Sequence, residues 1–327
     1  MTTRLLHADD HGDIENAAQL LIAGGLVAVP TETVYGLGAD ASNPVAVARI
    51  FAVKGRPANH PLIVHVADLD HARRLSSDWS ASAEVLGRTY WPGPASVLTP
   101  RSAVVPLEVT GGRQTVVVRV PRHPGTLRLL SRLHDLGSCG LAAPSANRFG
   151  AISPTTAEHV MTDLAEDIDA VLDGGPCDVG LESTIIDCTG DTAVILRPGA
   201  ITHDAVSSAL AEHGIAVTKR QGQDGESTDT AAIAPGMLRS HYAPSTRLEV
   251  FESDAELVEA RRRHEDRGLK VVVVPRPVDD FDYSRSLYAA LRECDGRHGD
   301  VMLALLPEDD GLGTAIRDRL LRASAER

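Results

Sequence analysis

The sequence predicts an α/β protein in two unequal parts, on three observations. Helical and extended patterns alternate along the first 214 residues. The stretch K-R-Q-G-Q-D-G-E-S-T-D-T-A at 219–231 then carries almost no apolar residue and reads as a solvated linker. Beyond Pro244, short and continuously apolar strands alternate with charged helices, the pattern of a small parallel sheet covered on both faces. At about 150 residues per domain, a chain of 327 residues also fits two domains.

The elements follow from local chemistry. Ile14, Ala17, Ala18 and Leu21 share one helical face, and Gly24-Gly25 stops that helix before the buried strand Leu26–Val29. Asn43 caps a helix that opens on Pro44 and runs to about Val53. Strands are expected at Leu62–Val66, Ser96–Thr99, Thr115–Val120 and Leu141–Ala143. A hairpin runs from Thr184–Asp187 through Thr189-Gly190-Asp191 to Ala193–Leu196. Helices are expected near 80–90, 124–136, 155–165 and 203–213, and the hairpins make the sheet mixed. The terminal part reads as strand Leu248–Phe251, helix 253–266, strand Lys270–Val274, helix 284–293, strand Val301–Leu306 and a helix from 314, a small Rossmann-like α/β domain. The expected boundaries are therefore 1–214, a linker at 215–245, and 246–327.

Composition excludes several classes of function. With 32 Lys+Arg against 45 Asp+Glu the net charge is −13, which opposes tight binding to long polyanions. Aromatics at 3% are too few for a reader built on base stacking. Cys139, Cys177, Cys188 and Cys294 form no Cys-x-x-Cys pair, so neither a zinc site nor a disulfide framework is expected. Asp9, Asp10 and Asp13 precede any apolar stretch, and the longest apolar run is Gly-broken, so a cytoplasmic protein off the membrane is expected.

The chemistry must lie in polar segments at strand ends, where open α/β sheets bind ligands. Pro30-Thr-Glu-Thr-Val-Tyr-Gly-Leu37 follows the strand at 26–29. Gly36-Leu-Gly38 begins like a dinucleotide fingerprint but lacks its third glycine. Lys54-Gly-Arg-Pro-Ala-Asn-His-Pro61 holds one of only three lysines beside Arg56, a pair suited to phosphate oxygens. Arg119 lies inside an apolar strand, where it needs an anion, either an internal carboxylate or a substrate's. Ala143-Pro-Ser-Ala-Asn147 with Ser153-Pro-Thr155 offers hydroxyls and an amide, although Ser145 has no identifiable base to make it a nucleophile. Glu182-Ser183-Thr184, Arg197-Pro-Gly199 and the apolar-aromatic knot Pro235–Pro244 complete the set.

In this order the segments P-T-E-T-V-Y-G-L-G (30–38), K-G-R-P (54–57), H-P-L-I-V-H (60–65), W-P-G-P (91–94), T-V-V-V-R-V-P (115–121), A-P-S-A-N (143–147), E-S-T-I (182–185), R-P-G (197–199) and H-Y-A-P (241–244) are highly specific. The chain resembles, over essentially its whole length, the two-domain threonylcarbamoyl-AMP synthases. That family joins a YrdC-like catalytic domain, with a twisted mixed sheet, to a linker and a smaller carboxyl-terminal domain. Its members condense L-threonine, bicarbonate or CO2, and ATP, and a separate transferase passes the product to tRNA adenosine. The resemblance implies that Thr33, His65, Arg119, Ala143 and Ser183 line a threonine subsite. It implies that Arg56, His60, Thr115, Ser145, Ser153, Arg197 and Tyr242 face ATP, with Lys54 near its phosphates. Lys54, Arg56 and Arg119 are then the expected catalytic cations, with Mg2+ carried on ATP by ligands that the sequence does not identify. His60 departs from the Asn or Lys common in the family, and an imidazole replaces an amide contact but not a fixed charge.

The knot carrying Met237, His241 and Tyr242 suggests a lid that shields a labile product from water. Two other readings keep the fold: a non-catalytic RNA-binding or ribosome-associated module, and carbamoyl transfer from carbamoyl phosphate. The acidic charge and the complete substrate motifs oppose the first, and the absence of zinc-finger and acylphosphatase segments opposes the second.

Overall fold

The computed structural model describes residues 2–219, 234–235 and 241–325. The chain begins with β1 (Arg4–His7), α1 (His11–Ile22), β2 (Val27–Val29), β3 (Gly36–Asp40), α2 (Pro44–Lys54) and β4 (Ile63–His65). Next come α3 (Leu69–Arg74), α4 (Ala81–Tyr90), β5 (Ala95–Pro100), β6 (Thr115–Arg119), α5 (Pro124–Asp135), β7 (Leu141–Ala142), α6 (Ala157–Leu164) and β8 (Ala170–Asp173). The hairpin β9 (Thr184–Asp187) and β10 (Ala193–Arg197), then α7 (His203–Ala211) and β11 (Val217–Lys219), close the large unit. The small unit is β12 (Leu248–Phe251), α8 (Asp254–Glu265), β13 (Val271–Val273), α9 (Asp280–Asp295), β14 (Val301–Leu305) and α10 (Gly313–Ser324).

Among the described residues the large unit forms one sheet in the order β1-β8-β2-β3-β7-β4-β6-β5-β9-β10-β11. It is mixed: β2–β3, β3–β7, β4–β7, β5–β6 and β9–β10 are antiparallel, whereas β4–β6 and β5–β9 are parallel. The small sheet, β12-β14-β13, is parallel throughout, as its continuous apolar strands require. Helix starts are set by side chains that accept orphan backbone N–H groups. Asn43 caps α2 ahead of Pro44, and Gly55 ends that helix at φ +65°, where a Cβ would be strained. Ser253 and Glu256 form a reciprocal capping box on α8.

Several elements differ from the sequence expectation. Gly36–Asp40, where no strand is expected, is a strand, and its glycines serve close packing. A Cβ on Gly38 would stand 2.9 Å from the Leu141 side chain and 3.0 Å from the Val27 carbonyl oxygen. Helix α9 begins at Asp280 because Asp279 caps the Asp282 N–H, a polar start that apolar periodicity does not register. Strand β11 lies inside the expected linker 215–245, because parallel pairing with β10 holds its half-exposed backbone. Most of 219–231, and Met237, lie outside the described residues.

The two units share one apolar cluster, in which Val34, Ile152, Leu181 and Tyr242 pack with Tyr283, Leu287 and Tyr288 of α9. At Gly180 (φ +75°) a Cβ would stand 2.6 Å from the Ser284 carbonyl oxygen, so the 176–181 loop runs directly against α9. Arg292 pairs with Asp163 at 2.6 Å across the same seam. No helix among the described residues is long and apolar enough to cross a membrane.

Candidate active site

Strand ends gather the functional side chains. The turn after β2 is wound by its own hydroxyls: Thr31 Oγ1 donates to the Val34 carbonyl (2.6 Å) and accepts from the Thr33 N–H (3.1 Å). This fixes Thr33 and Glu32 beside the end of β6. Strands β4 and β6 are parallel with His65 opposite Arg119, so both side chains leave their strands together. Ala143-Pro144-Ser145 follows β7, Glu182-Ser183 precedes β9, and Arg197 ends β10.

These residues other than Glu32, with Arg56, Pro235, His241 and Tyr242, line a cavity of about 50 Å³. Nine residues expected at the site line it: Thr33, Arg56, His65, Arg119, Ala143, Ser145, Ser183, Arg197 and Tyr242. Four do not. Lys54 is buried beneath the floor and donates to the carbonyls of Ser145 (2.6 Å) and Asn147. His60 is buried edge-on to the Phe149 ring, 5.6 Å between centroids. Ser153 donates to Glu182 Oε1 at 2.6 Å, behind the cavity wall. Thr115 opens β6, four residues and about 13 Å along the strand from Arg119.

The anion that Arg119 required is internal. Glu32 Oε1 stands 2.8 Å from Arg119 Nη2, and Nη1 donates to Thr33 Oγ1 (2.9 Å) and Nε to the Gly93 carbonyl (3.2 Å). Burial opposes the Glu32 charge, but the Arg119 charge and the Arg122 N–H outweigh it and hold the carboxyl below its ordinary range. Arg197 is likewise held within the chain. Its Nη2 donates to the Ser183 carbonyl (2.9 Å) and Oγ (3.1 Å), and its Nη1 to the Pro235 carbonyl (3.1 Å).

Arg56 is different. Its Nη2 donates to the Pro61 carbonyl at 3.0 Å, while the buried Nε has no acceptor among the described residues. Burial, and then the Arg197 charge, lower its pKa to about 10. Burial, then Arg56, push the Lys54 ammonium well below its usual range. His65 is driven to about 3 by burial and Arg119, and His241 to about 3 by burial and Arg56, so both rings are neutral near pH 7.

Sequence reasoning singled out the segments that hold Glu32 and Glu182 but gave neither carboxylate a role, and it missed Tyr288 and Arg319. An arginine in an apolar strand called for a carboxylate, and Glu32 in the P-T-E-T segment was available to answer it. Arg319 and Tyr288 lie more than 100 residues from Glu182 and carry no local signal.

Comparison with known proteins identifies the family. A family described as telomere recombination matches residues 19–199, and one described as the threonylcarbamoyl-AMP synthase C-terminal domain matches 201–325. The threonylcarbamoyl-AMP synthase of Pyrococcus abyssi is 40% identical, over 96% of this chain and 94% of its own. That of Bacillus subtilis is 37% identical, over 96% and 93%. The crystal structure of P. abyssi Sua5 complexed with L-threonine superposes with a TM-score of 0.89 at 37% identity, covering 99% of this chain and 98% of that one. On family models, sequence and architecture together, the chain belongs to the threonylcarbamoyl-AMP synthase family.

Proposed function

We infer that this chain condenses L-threonine, bicarbonate or CO2, and ATP into threonylcarbamoyl-AMP and pyrophosphate, as a nucleotidyltransferase. The observation that carries this reading is a charge imbalance. Lys54, Arg56, Arg119 and Arg197 are buried at or beneath a cavity where, among the described residues, Glu182 is the one lining carboxylate and Glu32 pairs with Arg119, in a chain whose net charge is −13. Concentrating like charges away from water is costly unless a polyanion meets them, and a triphosphate has the required charge.

The chemistry follows from positioning. The neutral amine of threonine attacks CO2 and loses a proton, giving a carbamate. A carbamate oxygen then attacks the α-phosphorus, and pyrophosphate leaves in line with its bonding electrons. Negative charge grows on the leaving phosphates, where Arg56, with an uncommitted buried N–H, stabilises it. Arg119 and Thr33 form the wall proposed to orient threonine, and His65, Ala143 and Ser183 border it. Arg197, Ser145 and Tyr242 are the proposed nucleotide contacts. Lys54 acts through the Ser145–Asn147 loop that it pins.

Among the described residues no three His, Cys, Asp or Glu side chains gather as a metal cage, and both Glu182 in the cavity wall and Glu32 beside Arg119 are engaged by arginines. The chain's donor set therefore does not fit a resident metal, and Mg2+ is proposed to arrive on the phosphates of ATP. A 50 Å³ cavity is far below the 300–1,000 Å³ usual for a bound small molecule. ATP therefore needs Pro235, His241 and Tyr242 to move aside, and these residues are the proposed cover over the reacting groups. A tRNA threonylcarbamoyl transferase in the cytoplasm is the proposed consumer of the product. The RNA-binding alternative is not favoured, since the matched relatives are synthases.

Pyrophosphate release should require L-threonine and bicarbonate together. Equal release with either one omitted would reject the synthase reading, and tight RNA binding without turnover would favour the binding module.

A further inference from the structure

We propose that Arg319, in the last helix of the small domain, is a positioning residue for the reaction: through Glu182 it holds the Ser183–Arg197 wall and the seat of Tyr242. The inference rests on the synthase reading and gives the small domain a part in it.

Arg319 is fully buried, and its fork reaches across the domain seam. Nε donates to Glu182 Oε2 at 2.9 Å, and Nη2 donates to the Pro198 carbonyl at 2.9 Å. Those two acceptors flank the wall: Glu182 precedes Ser183, and Pro198 follows Arg197. Nη1 is held by Asp318 on the same helix at 2.5 Å. The guanidinium carbon also lies 5.3 Å from the centre of the Tyr242 ring, and the Tyr288 ring packs on Tyr242 at 5.7 Å. Tyr242 thus rests on a cation and an aromatic that both belong to the small domain, in a left-handed backbone conformation (φ +62°) that a bulky residue keeps only when its surroundings enforce it.

Glu182 joins the two sides. It accepts from Ser153 Oγ (2.6 Å), the Tyr288 hydroxyl (2.7 Å) and Arg319, so large and small domains share one carboxylate. The charged and titratable groups facing it are Arg319 and, beyond it, Asp318 from α10; Tyr288 from α9; Arg197 from β10; and His241 and Tyr242 from the segment over the cavity. Burial opposes its ionisation, but Arg319 and then Arg197 outweigh burial and bring the carboxyl to about 2. An arginine fork meets carboxylate and carbonyl together, which a lysine ammonium does not reproduce.

The test compares the full chain with Arg319→Met, Arg319→Lys, Tyr288→Phe and the pair Glu182→Gln with Arg319→Met. Arg319→Met should lose about tenfold or more in kcat/KM. It should also gain a pH step absent from the unaltered chain, because burial then raises the Glu182 carboxyl and activity falls as pH drops through the new value. The pair should be no worse than Arg319→Met alone and should lack the step. Arg319→Lys should recover part of the loss, and Tyr288→Phe should lose activity several-fold without a step. A folded Arg319→Met with unaltered kinetics and pH profile would overturn the proposal. Should that variant not fold, wild-type behaviour of both Arg319→Lys and Tyr288→Phe would overturn it instead.

A readout free of activity separates this inference from the assigned reaction. In the unaltered chain Glu182 stabilises the fold above its unfolded pKa, and that contribution is lost only as pH falls toward 2. In Arg319→Met the carboxyl is raised above its unfolded value, so the thermal penalty is largest at neutral pH and shrinks on acidification. A pH-independent penalty would contradict the coupling. An unaltered chain that makes no product would instead overturn the reaction and leave this titration intact.

Discussion

Arg119 and Glu32 are each 3% exposed and stand 2.8 Å apart, so each neutralises the other in a place where neither is hydrated. Arg119→Ala strands a buried carboxylate and should cost about 3–5 kcal/mol of stability, read by chemical denaturation. Combining Glu32→Gln with Arg119→Met should return most of that loss, and an unchanged denaturation midpoint in Arg119→Ala would contradict the pairing. Arg56 has no carboxylate partner among the described residues. Arg56→Ala should therefore leave the fold nearly intact and weaken ATP use by roughly 10- to 150-fold, with a smaller effect on threonine, as separate substrate titrations would show. His65 and His241 behave oppositely to a stabilising histidine. Their folded pKa values, about 3, lie below the unfolded value, so the unfolded chain takes up protons first as pH falls below about 6.5. Each should cost about 2 kcal/mol by pH 5, and His65→Gln should flatten that part of the pH dependence of the thermal midpoint. An unchanged slope would place His65 in contact with water.

Tyr242 contributes to the segment over the cavity in two ways, a ring that packs and a buried hydroxyl that has no hydrogen-bond partner among the described residues. Tyr242→Ala removes both and should lower synthesis several-fold. Tyr242→Phe should keep the fold and isolate the hydroxyl, so weaker ATP use in that variant would mark it as a nucleotide contact. Unchanged kinetics in Tyr242→Ala would sink the idea of a cover. The elements that the sequence made legible are those with a strong local signature: the Asn43-Pro44 start of α2, the hairpin around Gly190, and the apolar strands of the small domain. Strand β3 was not legible because its glycines give no strand signal, while their purpose, close approach to Leu141 and Ala143, is tertiary. At the site, nine of the expected residues meet around one cavity because each sits within a specific motif, most of them at strand ends, with Arg56 in the loop after α2 and Tyr242 in the segment ahead of β12. The groups that hold them, Glu32 beside Arg119 and Arg319 beside Glu182, depend on pairings that only the folded chain creates.

The whole molecule is acidic outside and cationic at one buried point, a distribution that suits a small polyanionic substrate better than a nucleic-acid surface. Its two domains are fused through the cluster of Val34, Leu181 and Tyr288 and through Glu182. A chain ended after Lys219 would expose that apolar seam and deprive Glu182 of both Arg319 and Tyr288. Such a truncation should melt at lower temperature and synthesise less product than the full chain, and equal stability would show that the seam contributes nothing. The most direct measurement supplies the full chain with L-threonine, Mg-ATP and carbon-13 bicarbonate and follows the products by mass spectrometry. Threonylcarbamoyl-AMP carrying the labelled carbon, formed in step with pyrophosphate, is the expected result; pyrophosphate released without labelled product, or no turnover at all, would contradict it.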